Sequence, residues 1–132
     1  MFRPLITFAL AAISVAGAAH AQSFHVKNPS TVTPVSNNSF AVAAGGEFGS
    51  RGTWCSAANY ALTTLRLPGT TRLYVLKASS PVTGQVLFGT DPGGLQPQSV
   101  LSVAASLKSP GSNLSANQAF TYCSDLRLKY RR

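Results

Sequence analysis

The chain has 132 residues, with eleven lysines and arginines against three acids and a formal net charge of +8. That length is one domain's worth of chain, enough to bury a core by a small margin, and the charge balance favours anionic partners such as nucleic acid, lipid headgroups or polyanionic sugars. Of the two histidines, His20 falls in the leader described next, and one histidine with two cysteines is too few ligands for a zinc site of the His and Cys type, so no metal and no cofactor is expected.

The first residues read as an export signal. Arg3 gives a positive start, an apolar run begins at Leu5, and Ala19 and Ala21 put small residues where a signal peptidase cuts. The run is shorter than the roughly 20 apolar residues a membrane span needs. Cleavage after Ala21 is expected, which makes residues 1–21 a signal peptide and Gln22 the start of the mature chain. No cysteine follows the cut, which argues against a lipid anchor, and no later segment is apolar enough to span a bilayer. The mature protein is therefore expected in the periplasm or secreted.

Residues 22–38 are rich in Ser, Thr, Asn, Val and Pro. Pro29 and Pro34 lack amide donors and oppose a central strand, so this segment is read as an extended arm, poorly ordered or docked at a sheet edge. Residues 39–132 are read as a single domain. Residues 39–43, SFAVA, suit a short strand, and residues 45–52, GGEFGSRG, a flexible loop.

Trp54, Ala57, Ala58, Ala61, Leu62 and Leu65 recur at helical spacing, and Thr53 is placed to cap that helix. Pro68 and Gly69 stop it. Cys55 then falls in the first turn. Residues 71–78, TRLYVLKA, are apolar on both faces and suit an interior strand, joined by a short link to a second strand over residues 84–90. Buried side chains are expected at Trp54, Leu62, Leu65, Tyr74, Leu76 and Phe120.

Residues 91–94, DPGG, are a turn signal. Residues 99–107 fit a helix by spacing and a strand by composition, with a weak lean to helix, and SPGSN reads as a loop. Residues 115–123 read as a short helix. Ser115 and Gln118 form a capping box, and Ala116, Ala119, Phe120 and Cys123 form its apolar stripe. In residues 125–132 Leu126, Leu128 and Tyr130 alternate with Arg127, Lys129 and Arg131, which reads as a strand with one basic face.

The cysteines are even in number, exported and far apart in sequence, so Cys55 and Cys123 are expected to form a structural disulfide between two helix ends and not a CxxC redox pair. The fold expected is α+β: a small antiparallel sheet packed against one amphipathic and one short helix, with that single staple.

Catalytic candidates are few. His25 is the only histidine of the mature chain, and a triad would have to join it to Asp91 or Asp125. Glu47, Asp91 and Asp125 show no spacing that suggests paired carboxylates. The glycines of residues 45–52 carry no phosphate-loop pattern. Asn37 and Asn113 match the N-glycosylation pattern, which applies only in a eukaryotic secretory pathway. No catalytic residue is assigned. The densest positive cluster is Arg127, Lys129, Arg131 and Arg132, a candidate strip for an anionic surface. A solvated strand edge that resists aggregation is the plainer use of the same cations.

In WCSAANYA, RLYVLKASSP and the late YC, the chain resembles small exported proteins of Gram-negative bacteria, in particular alphaproteobacteria, over about half its mature length. The resemblance implies export and a disulfide and carries no activity. Three function classes follow. The first is a non-catalytic periplasmic or secreted binding module, with an anionic surface or an envelope protein as partner. The second is a structural subunit of an envelope complex. The third and least supported is a small hydrolase or hydrolase inhibitor. Sequence-specific nucleic-acid recognition is not implied, because no base-reading motif is present.

Overall fold

A computed structural model describes residues 30–45, 48–99 and 107–129. The leader, His25, Glu47, most of the ambiguous 99–107 segment, Arg131 and Arg132 lie outside the described residues. The elements run β1 Val32–Ser36, β2 Ser39–Ala43, α1 Gly49–Asn59, a π-helical continuation Tyr60–Thr64, β3 Arg72–Lys77, β4 Gln85–Gly89, β5 Gln98–Ser99, β6 Ser112–Ser115 and α2 Ala116–Lys129. They form an α+β fold. The sheet order is β1-β2-β4-β3-β6-β5. All neighbours are antiparallel except the short β5, which runs parallel to β6.

Strand β1 falls within the segment read as an arm. It takes the sheet edge, and Pro34 suits that place. Ala43 N–H donates to Thr31 O at 3.0 Å, so Thr31 and Thr33 turn their amides toward β2 and Pro34 turns its nitrogen outward, where no ladder bond is lost. The amide of Ser30 donates to the buried Ser56 Oγ at 3.0 Å and fastens the start of this edge to α1.

The core lies between one sheet face and the two helices. Phe40 and Val42 of β2, Leu73 and Val75 of β3, Val86 and Phe88 of β4 and Leu114 of β6 meet Trp54, Ala57, Ala58 and Ala61 of the first helix and Ala116 and Ala119 of the second. Trp54 packs edge-on against Phe88 with ring centroids 5.0 Å apart, and Phe88 stacks on Phe40 at 5.9 Å. The alanines let the helices approach closely, and the aromatic side chains fill the space this leaves.

Several expectations change. Residues 49–52, read as loop, are the first turn of α1. Its N-cap is Phe48, with no side-chain cap. Thr53 lies inside the helix and donates its hydroxyl to Gly49 O at 3.4 Å instead of capping. Past Asn59 the helix widens, and Leu65 N–H donates to Tyr60 O, five residues back, at 3.0 Å. That extra residue in the turn shifts the phase of the apolar stripe, so Ala61 stays buried while Leu62 and Leu65 are half-buried. In β3 the buried pair is Leu73 and Val75, whereas Tyr74 and Leu76 point to the helix-free face and, like Phe120, are half-buried.

The loop assigned to SPGSN ends early, because Ser112 and Asn113 open β6. The capping box holds: Gln118 N–H donates to Ser115 Oγ at 3.1 Å, and Ser115 N–H donates to Gln118 Oε1 at 3.2 Å. The helix it starts does not end at Cys123 but continues to Lys129. The expected C-terminal strand is therefore helix as far as it is described. Arg127 and Lys129 do not share a strand face, since residues two apart on a helix diverge around its axis.

Candidate functional site

Cys55 and Cys123 form a disulfide with a Cα–Cα separation of 5.0 Å. Both are fully buried and sit in the middle of α1 and α2, not at helix ends, with Phe48, Phe120 and Tyr122 packed over them. Arg51, one turn before Cys55, lies over the Tyr122 ring at 5.7 Å. Neither sulfur is exposed, and the bridge ties the two helices together. It indicates an oxidising, extracytoplasmic compartment. No described helix is long and apolar enough to cross a membrane.

The second buried polar centre is Asn113. Its side-chain oxygen accepts from Arg72 Nε at 2.9 Å and Arg72 Nη2 at 2.6 Å. Its amide nitrogen donates to Gln98 O at 3.1 Å and Gly111 O at 3.0 Å. This one side chain joins β3, β5 and β6. Its 6% exposure and full set of bonds leave no room for a glycan in the folded protein. Asn37, the other match, is exposed in the β1–β2 turn.

No catalytic constellation forms among the described residues, and no group of three His, Cys, Asp or Glu side chains gathers there. Asp91 sits exposed in its turn, where its carboxylate accepts from Gly93 N–H at 2.7 Å.

Exposed cations lie at both ends of the molecule, with Arg66 and Arg72 near the start of α2. Asn117 N–H donates to Gly69 O at 2.9 Å, so the end of the first helix meets the start of α2. The disulfide joins their middles, and the two helices therefore run antiparallel. The last turns of α2, which carry Arg127 and Lys129, consequently reach the end of the molecule where α1 begins. A shallow cleft of about 420 Å³ opens there, lined by Ala44, Gly49, Ser50, Ala78, Ser79 and Lys108 among others. Lys77 closes β3 at the same end. The first turn of α1 has no acid, so its dipole adds to the positive potential. Arg51, Lys77 and Lys108 are exposed.

Of the sequence-derived strip, Arg127 and Lys129 thus come to this end on a helix. Arg131 and Arg132 lie outside the described residues. The sequence alone does not single out Lys77 or Lys108. They are isolated in the chain, and only the pairing of β3 with β4 and β6 brings their neighbourhoods together. The signal available was Lys77 closing an apolar strand directly before a hairpin link. Comparisons with protein-family models, with curated proteins and with solved structures find no match for the chain.

Proposed function

We propose that this is a non-catalytic protein, exported by a cleaved signal peptide, that binds anionic components of the cell envelope. One observation supports this reading above others. Among residues with described side chains, Arg51, Arg66, Arg72, Lys77 and Lys108 are all exposed, and the one acid is Asp91. Such a surface attracts phosphate-bearing and sulfate-bearing partners over long range. The buried disulfide fits a binding module that works outside the cytoplasm, and the described residues gather no nucleophile and base.

A salt series tests the reading. The oxidised protein should bind lipopolysaccharide and a generic single-stranded polyanion, with affinity falling as salt rises. Replacing Arg127, Lys129 and Arg131 with Gln should flatten the salt slope for the single-stranded polyanion by about two units. An unchanged slope would remove the C-terminal cations from the site. Absence of binding at low salt would leave the cations as a solubilising surface only.

A further inference from the structure

The β3–β4 connection ends in a hydrogen-bonded tip that carries an exposed valine. Gly84 N–H donates to Ser80 O at 2.8 Å, and Thr83 N–H donates to Ser80 Oγ at 3.1 Å. The two hydroxyls of Ser80 and Thr83 bond at 2.9 Å. Ala44 N–H donates to Gly84 O at 2.8 Å and ties the tip to the end of β2. Gly84 supports the turn with a φ of +59°. Held on this frame, Val82 is 94% exposed, beside an exposed Pro81. Turns of this kind usually show Gly, Asn, Asp or Ser to water, and no fold requirement on the described residues explains a valine there. Val35, the other exposed large apolar side chain among the described residues, lies on β1 toward its far end, away from this tip.

The surroundings of the tip are basic. Lys77 precedes it on β3, and Ala78 and Ser79, which begin the connection, line the same cleft as Lys108 and Ser50. Arg51 follows Ser50 on α1. An exposed apolar point beside a cleft edged by cations suits a protein that rests on a charged bilayer. The apolar residue enters the boundary between headgroups and acyl chains, and the cations meet lipid phosphates.

We propose that this end of the molecule docks on an anionic phospholipid bilayer, with Val82 entering the headgroup boundary and Lys77, Lys108 and Arg51 facing lipid phosphates. The inference rests on the anionic-envelope reading above and names its target as a lipid surface. No span is formed, and one valine with several cations gives reversible attachment.

The test is co-sedimentation of the exported, oxidised protein with vesicles of phosphatidylglycerol and phosphatidylcholine, against vesicles of phosphatidylcholine alone. Binding is expected to the anionic vesicles only, weakening with salt. Lys77→Gln with Lys108→Gln should lower vesicle affinity by roughly tenfold or more, and Val82→Asp should also lower it severalfold without changing the thermal melt. Val82→Trp should give a new emission that shifts blue with anionic vesicles, against the constant signal of the buried Trp54. Equal binding by Val82→Asp and wild type, or no blue shift, would overturn the role of the tip. Absence of vesicle binding while lipopolysaccharide still binds would overturn lipid docking and leave the broader reading standing. Absence of binding to either would overturn both.

Discussion

Asn113 and Leu73 sit opposite each other in what the sequence reveals. Leu73 belongs to an apolar run whose strand character is plain, but two-sided apolarity hides which face is core. Packing of α1 and α2 on the Leu73 and Val75 side decides it. Leu73→Ala should cost about 2–5 kcal/mol, while the half-buried Leu62→Ala should cost less than about half of that. Equal losses in urea titrations would contradict the phase shift produced by the π-helical turn. Asn113 looks from sequence like a surface loop residue with a glycan motif. It is a buried hub because two carbonyls and one guanidinium converge on it, and nothing local encodes that convergence. Asn113→Ala should cost about 1–3 kcal/mol, since it removes two buried amide bonds and the acceptor of the Arg72 guanidinium, although Gly111 O keeps the amide of Gln98. A loss below about half a kcal/mol would mean that water replaces the side chain.

At the scale of elements, strands β2, β3 and β4 and the start of α2 were legible because each has clear periodicity and a boundary signal. Ser115 and Gln118 mark the start of α2 directly. Its end was misread. Residues 124–129 alternate in hydrophobicity, and a period of two in so short a window competes with a period of 3.6. No Gly or Pro follows Cys123 to stop the helix, so continuation from an already nucleated turn wins. The same logic extends α1 backward through Gly49 and Gly52, whose poor helix propensity suggested a loop. Gly52 is buried, and packing overrides propensity there. The disulfide operates at this scale, because it joins the middles of the two helices. Intact mass should fall by two hydrogens' worth relative to the reduced protein, and Cys123→Ser should destabilise by roughly 2–5 kcal/mol. Two free thiols in folded, exported protein would contradict the pairing.

For the whole molecule, the sheet order and the antiparallel helices bring one tip, one cleft and Arg51, Lys77 and Lys108 to a common end, while Arg66 and Arg72 stay at the other. Composition announced the charge but not its placement, because Arg51, Lys77 and Lys108 are far apart in the chain and become neighbours only through strand pairing and the staple. On the proposed function, this charge keeps the exported protein on the envelope by electrostatic attachment. Fractionation of the producing cell tests this most directly. The expected result is a processed chain beginning at Gln22, found with the envelope fraction and released by high salt without detergent. An unprocessed chain in the cytoplasmic fraction, or envelope association indifferent to salt, would contradict it.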